Sequence, residues 1–173
     1  AGLLRLDALG VPVVAAVNGS AAGAGLSLTL ACDLVIGGEG SSYMMAYTAI
    51  GLSADGGSTF HLPRLIGLRL TQEMAYLNRR LNAVEALATG LVTRVVPDDS
   101  VLDEAFAVAR QLAQGPTGAF RRLRRLLGDG LRNSFAAQLA AEAEAIAASA
   151  TTADAGEGVR AFLERRKPEF RGE

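Results

Sequence analysis

Two short stretches hold most of the residues that could do chemistry: GSAAGAG at 19–25 and GLSADGG at 51–57. A run of small side chains entering a helix lets a ligand approach the backbone, yet neither common nucleotide pattern fits. A dinucleotide fingerprint counted from Gly23 and Gly25 needs a third glycine where Leu28 stands, and a phosphate loop needs a Lys followed by Ser or Thr. Two readings stay open from spacing alone. Small residues suffice for close helix–strand packing. Equally, unpaired amides at a helix N-terminus, aligned with the helix dipole, stabilise a negatively charged oxygen. Asp55, placed before two glycines, reads by itself as a turn residue.

Other reactive side chains are few. No histidine can be assigned to Ser27 as a base, so Ser27 reads as a small helix residue rather than a nucleophile. His61 and Cys32 are single examples of their kind, without carboxylates at ligand spacing, which argues against a metal site. His61 reads as a packing residue and Asp33 as part of a strand–loop junction. In FRRLRRLL, Phe120, Leu123 and Leu127 form one stripe, and Arg121, Arg122, Arg124 and Arg125 fall on the other side. Those arginines could meet RNA phosphates. However, 17 Lys+Arg against 18 Asp+Glu leave a net charge of −1, so there is no general field for nucleic acid or an anionic membrane. A solvated or subunit-facing charged side is the expectation, with no nucleic-acid partner.

The elements that must position these residues follow from periodicity and punctuation. Residues 13–17 form a short apolar run after Pro12 and predict a buried strand ending at the Asn18-Gly19 turn. A helix over 23–31 and a second buried strand over 34–36 follow, which suggests a parallel crossover unit in an α/β fold. A third strand is expected over 43–46, then helices over 58–66 and 68–76. Asn82 with Glu85 three residues on reads as a capping box for a helix ending at Gly90, and LVTRVV reads as another strand. Beyond Pro97 only helices are expected, over 101–114, 118–127, 134–150 and 158–166, with GDG at 128–130 as a turn. Phe135, Leu139, Ala143 and Ile146 are expected to be a buried stripe.

With 173 residues, 50% of them hydrophobic, the chain can bury one sizeable core. The apolar N-terminus carries Arg5 and Asp7 and is broken at Gly10 and Pro12, which excludes a membrane span or a secretory signal there. One cysteine excludes an internal disulfide and fits a reducing, cytoplasmic setting. Because the chain opens on Ala1 rather than Met, an upstream segment is expected.

Four blocks, in order, carry a resemblance: PVVAAVNGSAAGAGLSLTLACD, IGLSADGGSTFHLPRLIG, NAVEALATGLVTRVVPDD and EGVRAFLERRKPEF. They resemble the central and later segments of the crotonase superfamily, the enoyl-CoA hydratase/isomerase family. The resemblance implies an α/β spiral of strand–strand–helix turns over residues 1–100. It implies C-terminal helices over 101–173 that assemble trimers or hexamers. The family's N-terminal portion, with the first oxyanion-hole amide and much of the CoA adenine pocket, has no counterpart in this sequence.

The resemblance also implies chemistry. Family members stabilise a thioester enolate with two backbone amides, and the second falls on Ala24, flanked by Gly23 and Gly25. The two glutamates of the hydratases match Ser27 and Tyr47, neither of which is a carboxylate base. Some isomerases of the family place a carboxylate in a GLxxD segment, and GLSAD puts Asp55 there. In a water-poor pocket such a carboxylate takes a proton from one carbon and returns it to another. Double-bond isomerisation of an enoyl-CoA, with no metal or redox cofactor, is therefore the expected activity, in line with fatty acid metabolism. A hydratase, a dehalogenase using Asp55 as nucleophile, and a non-catalytic CoA-binding or oligomerising relative are the alternatives. Tyr47 could donate a hydrogen bond to substrate, though walling the acyl pocket is the expectation, and Gly23, Gly25 and Ser27 are expected to border the substrate with it. Phe162 and Arg165 match a last-helix region that contacts CoA, often from a neighbouring subunit.

Overall fold

The computed structural model describes residues 2–173. They form two compact units, one built on Val13–Val108 with the N-terminal helix, the other on Ala109–Glu173 with Gly10–Pro12.

The first unit begins with the short helix α1 (Gly2–Asp7), followed by β1 (Val14–Val17) and β2 (Ser20–Ala22). These strands are consecutive but belong to different sheets, because the chain bends at Asn18-Gly19. Helix α2 (Ala24–Leu30) closes this first turn. The pattern then repeats with β3 (Leu34–Gly38) and β4 (Ser42–Met44), a 3-10 turn at Thr48–Ile50, and α3 (Ser58–Leu65) and α4 (Leu68–Tyr76). A third repeat comprises β5 (Leu81–Asn82), α5 (Ala83–Ala88) and β6 (Arg94–Val96). Each repeat lays its strands beside those of the previous one. Thus β1 pairs with β3 in parallel, Val14 opposite Leu34, and β3 pairs with β6 in parallel. In the other sheet β2 lies parallel to β4, Ser20 opposite Ser42, and β5 returns antiparallel. The result is a spiral of strand–strand–helix turns.

The core lies between the two sheets and the helices. Leu26 of α2, Tyr43 of β4, Leu62 of α3, Met74 of α4 and Leu81 of β5 are fully buried in one cluster. Burying an aliphatic side chain of this size is worth roughly 1.5–3 kcal/mol, so this cluster holds α2 at a fixed height over the sheets. Asp33 does the work its position suggested: its Oδ2 accepts from Val13 N at 2.7 Å, where β1 begins. The capping box of α5 is also formed, with Asn82 Oδ1 accepting from Glu85 N at 2.9 Å and Glu85 Oε2 accepting from Asn82 N at 3.0 Å.

Several boundaries differ from the periodicity. Strand β4 stops at Met44, because Ala46 turns to φ 63°. Leu91 and Val92 do not join β6; their amides donate to the Ala86 carbonyl at 3.0 and 3.1 Å and close α5 instead. Strands β2 and β5, three and two residues long, are too short to carry an alternation.

The second unit continues α6 (Val101–Ala113), which starts in the first, and adds α7 (Thr117–Gly130), α8 (Phe135–Ala150) and α9 (Ala153–Leu163). GDG at 128–130 is the last turn of α7 rather than a break. Helix α9 begins five residues before Gly158, because Thr152 Oγ1 caps it by accepting from Ala155 N at 3.2 Å. The stripe expected to be buried on α8 is instead exposed: Phe135 is 80% and Ile146 69% accessible, and Leu139 and Ala143 are exposed too. Leu123 and Leu127 of α7, and Leu131 just beyond its end, are exposed as well. The C-terminal tail folds back on α9, where the Asp154 carboxylate accepts from Arg171 N at 2.8 Å and Gly172 N at 2.9 Å. Glu157 accepts from both Arg166 Nη1 at 2.6 Å and Glu169 N at 3.0 Å. No described helix is long and apolar enough to cross a membrane.

Candidate active site

Helix α2 opens on a residue that only glycine suits: Gly23 has φ 53° and ψ −118° and offers no side chain as a cap. Its amide is spent on the Met44 carbonyl at 3.2 Å. The next amides, on Ala24 and Gly25, donate to no acceptor among the described residues. Both residues are exposed, and a Cβ added at Gly25 would meet nothing within 4 Å. The bend is open, as an oxyanion site requires, and the first-turn amides add their aligned dipoles there.

One turn into α2 stands Ser27, 1% exposed. Its hydroxyl lies 3.4 Å from the Gly23 carbonyl, 3.2 Å from the Asp55 carbonyl and 3.4 Å from the Tyr47 hydroxyl. A serine has one proton to share among these, so it acts as a hub that ties the loop at 55–57 and the residue after β4 to the start of α2. The loop is fitted closely. Gly56 and Gly57 both have positive φ, 62° and 81°. A Cβ on Gly56 would fall 2.6 Å from the Ser27 Cβ. The position matched to a hydratase glutamate is therefore sealed as well as occupied by a different residue.

The backbone of Asp55 is anchored three times, by Ser27 Oγ, by Ser58 Oγ at 3.1 Å and by Ser58 N at 3.3 Å. Its side chain, by contrast, is exposed; in this chain no water-poor pocket surrounds it. Among the described residues the carboxylate has one hydrogen bond, accepted at Oδ1 from the Tyr47 hydroxyl at 2.7 Å. Tyr47 is thus a hydrogen-bond donor to the carboxylate. Its ring passes over Gly23, its Cζ 3.8 Å from where a Cβ would stand there. Burial pushes the Tyr47 phenol up from its usual range; the Ser27 hydroxyl acts in the opposite sense, the Asp55 carboxylate pushes the same way as burial, and the Asp55 backbone amide opposes it. Gly23, Ala24, Gly25, Ser27, Tyr47 and Asp55 come together in the first unit. Ser58 and Gly56 were not singled out from the sequence; the GGS following Asp55 was the only hint, two residues free to adopt positive φ before a helix start.

The other candidates stand elsewhere in the chain. Phe162, 82% exposed, is in the last turn of α9, and Arg165 follows with φ 54°, which ends the helix. His61 sits edge-on to Phe60 with ring centroids 5.2 Å apart, and burial lowers its imidazole below the usual value. Among the described residues no three His, Cys, Asp or Glu side chains converge as metal ligands would.

Comparison with known proteins agrees with the fold. The family model described as enoyl-CoA hydratase/isomerase matches residues 1–173. The chain is 44% identical over 162 residues to a protein of Rhodobacter capsulatus named probable enoyl-CoA hydratase, covering 94% of this chain and 63% of that one. It is 38% identical to the 1,2-epoxyphenylacetyl-CoA isomerase of Escherichia coli, covering 97% of this chain and 64% of the relative. The crystal structure of an enoyl-CoA hydratase from Polaromonas sp. JS666 superimposes with a TM-score of 0.95 at 34% identity, over 98% of this chain and 66% of that one. The spiral is therefore crotonase-like, and the chain spans just under two thirds of these two relatives' length.

Proposed function

Because the chain belongs to the enoyl-CoA hydratase/isomerase family, we propose that it serves an enzyme that moves the double bond of an enoyl-CoA thioester. Asp55 removes a proton from the carbon at one end of the allylic system, and electrons shift onto the thioester oxygen. The Ala24 amide donates a hydrogen bond to that oxygen while it is negative, and Asp55 returns the proton at the other end. Atoms and charge balance without a metal or redox cofactor. A positioned amide donor contributes about 10²–10³ in rate and a positioned carboxylate about 10²–10⁴.

One observation carries this reading: the Ser27 hydroxyl reaches both the Gly23 and the Asp55 carbonyls, so the carboxylate-bearing loop is joined to the open bend of α2. Water addition in this family is expected to need two glutamates, and Ser27 and Tyr47 stand in their places. The name of the Rhodobacter capsulatus relative favours hydration as the second reading. Supplying a non-conjugated enoyl-CoA in deuterium oxide separates the two. An isomerase gives the conjugated thioester with label passed between the two carbons, and Asp55→Asn stops it. A hydratase gives a hydroxyacyl-CoA. Retained isomerisation in Asp55→Asn would remove Asp55 from its role.

The exposure of Leu127, Leu131, Phe135 and Ile146 supports assembly into trimers or hexamers through α7 and α8. Phe162 and Arg165 are then available to the CoA of a neighbouring copy. A cytoplasmic site of action fits the single thiol.

A further inference from the structure

Among the described residues, the Asp55 side chain is held by a single group. Its peptide carbonyl has three donors, which fix where the side chain leaves the backbone. The carboxylate itself is exposed and would rotate freely about its two side-chain bonds but for the 2.7 Å hydrogen bond from Tyr47. Tyr47 is well placed to impose an orientation. Its backbone starts the 3-10 turn at Thr48–Ile50, its carbonyl accepts from Ile50 N and Leu52 N at 3.1 Å each, and its ring packs on the core. Its phenol proton goes to Asp55, so the phenol oxygen can only accept from the Ser27 hydroxyl 3.4 Å away, which shares its one proton with the Asp55 carbonyl at 3.2 Å. Buried Ser27 and the Tyr47 phenol thus both hold Asp55, one at its carbonyl and the other at Oδ1.

We propose that Tyr47 is a positioning residue that locks the Asp55 carboxylate by occupying Oδ1, leaving Oδ2 as the atom that carries the substrate proton over the Ala24 amide. The proposal rests on the isomerase reading, in which Asp55 is the catalytic residue. Its physical content is that an oxygen already accepting the phenol hydrogen bond is the weaker base, so the tyrosine favours the other oxygen and fixes its direction. A misplacement of about 1 Å in a reacting group costs on the order of 10² in rate. Among the described residues, the Asp55 carboxylate is a charged group whose field raises the Tyr47 phenol.

The test uses Tyr47→Phe, which keeps the ring packing and deletes only the donor. In the isomerisation assay its kcat is expected to fall about 10- to 100-fold with KM within about twofold, since substrate binding is left alone. A second readout is independent of turnover. Tyrosinate absorbance is titrated with and without the Tyr47→Phe change, in the wild type and in Asp55→Asn. The difference isolates Tyr47, whose midpoint is expected to drop once the carboxylate charge is gone; ring packing alone would not move it. Wild-type kcat in Tyr47→Phe, with Asp55→Asn inactive, overturns the locking role and leaves the isomerase reading standing. An unmoved Tyr47 midpoint overturns it as well. An active Asp55→Asn overturns the isomerase reading itself, and this proposal with it.

Discussion

Gly56 rests directly on Ser27: a Cβ added at Gly56 would stand 2.6 Å from the Ser27 Cβ. This contact joins the Asp55 loop to the first turn of α2, and it leaves no room for a longer side chain at either position. The Gly56 backbone, at φ 62°, adds a second restriction.

Gly56→Ala is therefore expected to destabilise the fold by about 1–3 kcal/mol from overpacking, with a further cost of about 1 kcal/mol for the left-handed backbone. Thermal denaturation checks it. Activity should fall by more than the folded fraction explains, because the loop that carries Asp55 must shift. A Gly56→Ala protein with wild-type melting temperature and rate would show that the contact is not what sets the loop.

Placing glutamates at the two hydratase-matched positions, Ser27→Glu with Tyr47→Glu, is expected not to yield a hydratase. A carboxylate at 27 would enter a site now 1% exposed and sealed by Gly56, where an unpaired charge is costly. Hydroxyacyl-CoA formation by the double variant, measured by chromatography of the thioesters, would contradict this.

Much of the fold was legible because it rests on local chemistry. The Asn82/Glu85 box, the strands at 14–17 and 34–38 and the glycine-led start of α2 all carry their reasons within a few residues. What was not legible depends on partners distant in sequence. Strands β2 and β5 exist because β4 lies between them, not because two or three residues alternate. The α8 stripe has the right period for burial, but periodicity identifies an apolar face without saying what covers it. In the candidate site, Ala24 and Asp55 were singled out through resemblance. The Ser27 hub and the Tyr47 donor were underrated, because a hydroxyl acquires a role only once the chain brings an acceptor to it, and Tyr47 and Asp55 are separated by a turn.

The exposed side chains of α7 and α8 give an assembly prediction. Leu127→Glu and Ile146→Glu are expected to lower the mass of the assembly, read by light scattering, while the circular dichroism of each chain is unchanged. By contrast Leu26→Ala, at a fully buried position, should cost about 2–5 kcal/mol of stability. An unchanged mass in both charged variants would remove α7 and α8 from the interface.

Acid should loosen the C-terminal tail. The Arg166 guanidinium, then the Glu169 amide, hold the Glu157 carboxyl down at about 2. Its folded value lies below its ordinary value of 4.5, so its contribution is complete above that value and is lost as pH falls through about 2. The melting-temperature difference between wild type and Glu157→Gln is expected to be present at neutral pH and to shrink between pH 4.5 and pH 2. A difference that stays constant over that window would contradict the linkage.

The open amide of Ala24 can be tested without touching any side chain near it. Proline is tolerated at the first position of a helix, where its missing N–H has no partner within the helix. Ala24→Pro should therefore leave the melting temperature and acyl-CoA binding nearly unchanged while kcat for isomerisation falls about 10²–10³-fold. A folded Ala24→Pro protein that isomerises at the wild-type rate would show that negative charge on the substrate is not stabilised at this bend.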